Sequence, residues 1–188
     1  MSSSIQIVIT GRGGQGAQLA GNLLAMAFFA EGREVQCFAT YGGARRGTPV
    51  SSFIRVDDRP IRMRCDIERA DALLCFDASL LAGKLLAATR PGALIVVNSR
   101  RAAGDFAAEL PDYRVLTVDG LAIAQRNGLG RIVNSALLGA FARALESPAL
   151  DTLSRTIADA APKNGRENSQ ACLEGYCAIG EQLQRAAA

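Results

Sequence analysis

The chain has no histidine and no tryptophan among its 188 residues. Losing histidine removes the commonest general base near neutral pH and the commonest metal ligand. No serine sits in a Gly-x-Ser-x-Gly elbow, and no lysine sits in a Walker-type glycine loop. Five cysteines are present, at 37, 65, 75, 172 and 177, and none forms a Cys-x-x-Cys pair. Zinc and iron–sulfur sites draw on tighter clusters, and an odd count argues against a disulfide framework. Cys37 and Cys75 fall inside predicted strands and read as small buried hydrophobes. The chain lacks most of the usual equipment for doing chemistry alone.

Charge of one sign is also scarce. The net charge is +3 and the basic residues are scattered, which is unlike the clustered basic face that nucleic acid requires. No apolar run approaches the roughly 20 residues needed to cross a bilayer. Met1-Ser2-Ser3-Ser4 leads straight into a strand without a signal-peptide pattern, so a cytoplasmic location is expected. Hydrophobic residues make up 49% of the sequence. That supports a full core and a single domain over residues 1–188.

What the chain does have begins at Ile5-Gln6-Ile7-Val8-Ile9-Thr10, an apolar run rich in β-branched residues. It runs directly into Gly11-Arg12-Gly13-Gly14-Gln15-Gly16, and an apolar helix follows from Ala17 to Ala30. Glycines allow a tight turn and close backbone approach to a ligand. A helix N-terminus offers unpaired N–H groups and a partial positive charge to an anion. The spacing Gly11, Gly13, Gly16 fits a dinucleotide pattern. The acidic residue that would hold a ribose hydroxyl about 20 residues further on is missing. The second strand, Glu34 to Ala39, ends instead in Thr40-Tyr41-Gly42-Gly43-Ala44-Arg45-Arg46-Gly47. Two arginines suit an extra phosphate or an acidic partner surface better than a bare ribose.

Further strands are expected at 50–56, 70–76, 93–97 and 113–118, with helices near 121–127, 131–145, 149–160 and 165–186. Gly32 reads as a helix C-terminal cap and Asp77 as an N-cap. Ile61–Met63 reads as a short strand returning on 50–56, so a hairpin is expected over 50–63. Alternating strands and helices predict an α/β fold, a Rossmann-like sandwich with a mixed, mostly parallel sheet. The ligand crevice is expected at the C-terminal strand ends, where Gly11–Gly16 and Thr40–Gly47 fall. Only Gln18, Gly21 and Asn22 interrupt the apolar residues of the first helix. Such a helix is covered on more than one side, either by sheet and neighbouring helices or also by another subunit.

The Gly11–Gly16 turn and its helix, the Tyr41–Gly47 loop and the Ala70-Asp71-Ala72-Leu73-Leu74 strand resemble, in that order, the gamma subunit of 2-oxoacid:ferredoxin oxidoreductases. Arg131 to Gly139 is similar to the family's Asn-containing helix start. Lys163 to Asn168, with Ala171 and Gly175, is similar to its C-terminal helix. The resemblance spans nearly the whole chain. It implies a subunit of an enzyme that decarboxylates a 2-oxoacid on thiamine diphosphate, traps the acyl group on coenzyme A and passes electrons to ferredoxin or NAD. Thiamine diphosphate, Mg2+ and the iron–sulfur clusters are then expected on partners, namely thiamine-binding alpha and beta subunits and a ferredoxin-like subunit. This chain helps bind coenzyme A and holds the complex together.

On that footing the backbone of Gly11, Gly13, Gly14 and Gly16 cradles coenzyme A phosphate, with Gln15 as a side-chain donor. Arg12 and Lys163 are candidate phosphate contacts. Arg45 and Arg46 have two readings, phosphate contacts or salt bridges to a partner subunit. Tyr41 lines the crevice or packs under its loop. Asn134 is a helix cap or a ligand contact, with the cap favoured. The alternative function is a free-standing NADP- or flavin-binding reductase, with Arg45 and Arg46 on a 2′-phosphate.

Overall fold

A computed structural model describes residues 4–41, 47–63 and 65–187. β1 (Ile5–Arg12) is followed by the glycine turn and α1 (Ala17–Ala30), and β2 (Glu34–Tyr41) and β3 (Pro49–Asp57) come next. β4 (Ala70–Cys75) leads through a 3-10 turn at Ala78–Leu80 and a short α2 (Gly83–Ala87) into β5 (Thr89–Asn98). After α3 (Ala103–Glu109) and β6 (Arg114–Val118) the chain is helical: α4 (Gly120–Arg126), α5 (Asn134–Leu145), α6 (Leu150–Ala160) and α7 (Gly165–Ala187).

The strands form one sheet in the order β2-β3-β1-β4-β5-β6. β1, β4, β5 and β6 pair in parallel, and β3 runs antiparallel to both of its neighbours, β1 and β2. The α/β fold with a mixed, mostly parallel sheet is therefore the observed one. Side chains alternate across the strands, as the two-residue period requires. Ile7, Ile9, Leu74 and Val96 face α1 and the later helices, while Val8, Leu73, Ile95 and Val97 face the α2–α3 side. Among the described residues no helix is long and apolar enough to cross a membrane.

The hairpin lies elsewhere than expected. β3 pairs with β2 from Glu34↔Asp57 to Tyr41↔Val50, and Ile61–Met63 form no strand. The cause is Arg55, a fully buried side chain on β3. Its guanidinium donates to Gln36 Oε1 at 2.7 Å, to the Cys65 carbonyl at 2.6 Å and to the Asp66 carbonyl at 2.9 Å. A buried cation needs such acceptors, and these bonds from its two terminal nitrogens fix the Cys65–Asp66 backbone beside the sheet. Both edges of β3 are already paired, with β1 and with β2, so no third strand can join it. Pro91-Gly92, a pair that ordinarily marks a turn, does not end an element here. It sits inside β5, where a register shift between Ala70 and Ala72 absorbs the irregularity.

α5 and α7 cross at closest range. A Cβ on Gly139 would lie 1.9 Å from the Cys172 carbonyl oxygen, and one on Gly175 would lie 1.9 Å from that of Ala136. Both expected buried-cysteine strands formed. Cys75 is fully buried, its thiol pushed up to about 12 by desolvation, and Cys37 is half-buried and raised for the same reason. α1 is covered by the sheet and by flanking α5 and α6. Its opposite side, carrying Leu19, Met26 and Phe29, is exposed.

Candidate functional site

β1 and β4 are adjacent, yet the chain leaves β1 toward β2 on one side and reaches β4 on the other. That divergence opens a crevice at the carboxyl ends of the two strands. The Phe76 N–H donates to the Thr10 carbonyl at 2.8 Å and closes the floor. Asn98 ties the neighbouring strand end in place: Nδ2 donates to the Phe76 carbonyl, and Oδ1 accepts from Gly120 N–H. The cleft above has a volume of about 590 Å³. Arg12, Gly14, Gln15, Asn98 and Arg131 are among its lining residues. Two guanidinium groups and no carboxylate line it among the described residues.

The glycine turn has a definite conformation. Gly14 and Gly16 have φ of 95° and 89°, in the region that favours glycine. Gln15 N–H donates to the Arg12 carbonyl at 2.9 Å, and Gly13 N–H donates to the Thr48 carbonyl at 2.8 Å. The cradle is therefore narrower than the sequence suggests. Those two amides are spent inside the chain, which leaves Gly14 and Gly16 and the first turn of α1. That first turn has no side-chain cap and no acidic residue. Gln15 Oε1 accepts from Arg12 N–H at 2.6 Å, so only its Nε2 is left to donate outward. Gly11 is closely hemmed, since a Cβ there would meet Gln15 Oε1 and Phe76 at 3.1 Å.

Arg12 is a clasp. Its Nε pairs with Asp77 Oδ2 at 2.7 Å, one terminal nitrogen donates to Ser79 Oγ at 2.8 Å, and the other donates to the Gly47 carbonyl at 3.3 Å. Desolvation alone would raise the Asp77 carboxyl, but bonds from Ser79 and Arg12 outweigh it and hold the group below its ordinary value of 3.8. Asp77 also accepts from Ser79 N–H, which is the expected N-cap, here of a single 3-10 turn. The clasp joins the ends of β1 and β4 to the entry of β3.

Asn134 does not cap its own helix. Val133 occupies the N-cap position, and Asn134 Nδ2 donates to the Gly16 carbonyl at 3.3 Å. The side chain turns inward because Gly16, lacking a Cβ, leaves room for it: a Cβ on Gly16 would meet Asn134 Nδ2 at 2.5 Å. Lys163 lies apart, between α6 and α7, on a second and more apolar groove of about 410 Å³ whose walls include Asn134. Tyr41 ends β2 opposite Val50. Arg45 and Arg46 lie outside the described residues. Arg131 and Asn98 were not singled out from the sequence. Arg131 opens a segment that reads chiefly for Asn134 and its helix, and it lies in the turn before that helix, while Asn98 is recognisable only once β5 is known to end there. Among the described residues, no three of histidine, cysteine, aspartate or glutamate come together as metal ligands do.

Comparison with known proteins points one way. Residues 6–178 match the family model described as pyruvate ferredoxin/flavodoxin oxidoreductase. The chain is 35% identical to the pyruvate/ketoisovalerate oxidoreductases common subunit gamma of Thermococcus litoralis, over 92% of this chain and 95% of the relative. It is 37% identical to pyruvate synthase subunit PorC of Methanothermobacter thermautotrophicus, over 92% and 94%. It is 32% identical to the gamma subunit of NADH-dependent phenylglyoxylate dehydrogenase of Aromatoleum evansii, over 95% and 96%. Among solved structures it resembles pyruvate oxidoreductase subunit PORC of Thermotoga maritima, with a TM-score of 0.80 and 27% identity over 93% of this chain and 96% of that one.

Proposed function

The chain belongs to the pyruvate ferredoxin/flavodoxin oxidoreductase family as a gamma subunit of a multi-subunit 2-oxoacid oxidoreductase, and from this premise we propose that its glycine turn binds the phosphates of coenzyme A. The reaction is the oxidative decarboxylation of a 2-oxoacid to an acyl-CoA, with electrons leaving to ferredoxin or NAD. Thiamine diphosphate, Mg2+ and the iron–sulfur clusters belong to partner subunits, and this chain supplies part of the coenzyme A site and holds the assembly together.

The observation that carries the proposal is the pairing of an uncapped α1 N-terminus with a cleft lined by Arg12 and Arg131 and by no carboxylate among the described residues. Gly14 and Gly16 amides, the helix N-terminus and a guanidinium all favour the same charge. The phosphates of coenzyme A carry that charge in a form the missing ribose-binding acid would not help. Arg131 is the better charged contact, because Arg12 is already bound to Asp77, Ser79 and Gly47.

The test is viologen reduction by the assembled complex, dependent on both a 2-oxoacid and coenzyme A. Arg131→Ala should raise KM for coenzyme A about tenfold, the worth of one charged hydrogen bond, and leave kcat unchanged. The internally bonded Gly13 and Gln15 amides favour a second reading, in which the turn only packs the sheet against α1. Unchanged coenzyme A kinetics in Arg131→Ala and in Gly14→Ala would select that reading and overturn the first.

A further inference from the structure

We propose that the cleft between the carboxyl end of β6, α4 and α7 is a second anion site, which takes an organic molecule bearing two or more phosphoryl charges. The inference goes beyond the glycine turn and stands whichever ligand that turn holds.

The cleft has a volume of about 600 Å³, the size of a small-ligand site. Four arginines line it from three separate places: Arg100 and Arg101 from the connection between β5 and α3, Arg126 from α4 and Arg185 from α7. Asp119 is the one carboxylate among its lining residues. Both of its oxygens are already engaged, Oδ1 by Ala122 N–H at 2.9 Å and Oδ2 by Arg100 Nε at 3.2 Å. Arg100 is thus held in place by the group that caps α4, and its two terminal nitrogens make no bond among the described residues. Arg126 and Arg185 each commit one terminal nitrogen, to Glu174 at 3.0 Å and to Glu181 at 3.2 Å. Neither acid lines the cleft. Ion pairs this exposed are weak, and the other two nitrogens of each guanidinium stay available to a phosphate. Arg101 is spent on Glu109 and on the ring of Phe106, so it adds charge without a free donor.

The floor narrows the ligand. Thr117 is more than nine-tenths buried there, and its hydroxyl makes no hydrogen bond among the described residues. Its peptide N–H and carbonyl, by contrast, are both bonded to Gln182. Val118 and Ile123, both buried, supply an apolar bed beside it. A bare inorganic anion would leave that bed uncovered. An organic phosphate lays its ring or chain on the bed and its charge against the arginine rim, where guanidinium forks match phosphoryl oxygens. Two sources supply such a ligand. One is a free nucleotide. The other is a phosphate of coenzyme A reaching over from the glycine turn, since Asn98 and Leu121 line that cleft and their chain neighbours Ser99 and Ala122 line this one.

The test titrates ADP into the full-length chain by calorimetry, with and without saturating coenzyme A. Wild type should bind ADP, and the double variant Arg100→Gln, Arg126→Gln should bind it about tenfold more weakly or worse. Both positions are exposed, so the variant should melt as wild type does. Arg114→Gln, at the opposite end of β6 and outside the cleft, should bind as wild type. ADP binding that persists under coenzyme A and is weakened by the double variant identifies a free nucleotide as the ligand. ADP binding that coenzyme A abolishes, with the double variant weakening coenzyme A but not dephospho-coenzyme A, identifies the 3′-phosphate of coenzyme A. A double variant indistinguishable from wild type toward both ADP and coenzyme A overturns the site. An equal loss in Arg114→Gln also overturns it, because the effect would then report bulk charge alone.

Discussion

Gly16 packs against Asn134 at the start of α5, Gly139 lies within α5 against α7, and the two meet opposite demands. At the turn, Gly14 and Gly16 supply left-handed backbone at a helix end that has no side-chain cap among the described residues. At the crossing of α5 with α7, Gly139 and Gly175 have ordinary helical backbone and serve only by lacking a Cβ. One pair keeps a surface open and the other closes a gap. Both pairs fall in segments that resemble the family, and the reason for each appears only when its neighbour is known.

The largest effect belongs to the closed pair. Ala for Gly inside a helix ordinarily gains up to about 1 kcal/mol. At Gly139 or Gly175 the added methyl meets a carbonyl 1.9 Å away, which backbone cannot yield without parting the helices. Each substitution should cost about 3 kcal/mol or more in denaturant unfolding. A wild-type midpoint in either variant would dissolve the contrast.

Gly16→Ala comes next, at about 1–3 kcal/mol, from a positive φ and from the Asn134 side chain. Asn134→Ala in the same chain should recover the contact part and not the backbone part. Full recovery would show that Gly16 is glycine for packing, like Gly139, and would merge the two classes. The smallest effect sharpens the comparison from the other direction. Gly180 also lies within α7, but its nearest neighbour is the flexible Arg143 side chain at 3.4 Å. Gly180→Ala should therefore stabilise the chain by about 0.5–1 kcal/mol, read as a raised midpoint at unchanged slope.

Much of this was legible in the chain itself. Ile5–Ala30 announces strand, turn and helix through composition alone, and the last four helices are bounded by Pro148, Pro162 and their apolar spacing. What was not legible depended on distant partners. Asn134 reads as a cap because local rules favour it there, but it bonds a carbonyl 118 residues away. Ile61–Met63 reads as a strand by composition, while a buried guanidinium claims the backbone that follows it. α3, with seven residues and Phe106 as its buried anchor, is too short for a helical period to show. Arg12 and Arg131 are alike in sequence as loop cations, and only the structure separates the clasped one from the one in the cleft.

β3 lies between β1 and β2, and that placement has a consequence for synthesis. A nascent chain that has emerged only as far as β2 holds β1 and β2 but cannot join them in one sheet, because the strand that bridges them is still unmade. The amide of Gly13 likewise waits for the carbonyl of Thr48. The glycine turn, though written in the first sixteen residues, cannot complete its bonding until Thr48 and the strand that follows it have been made.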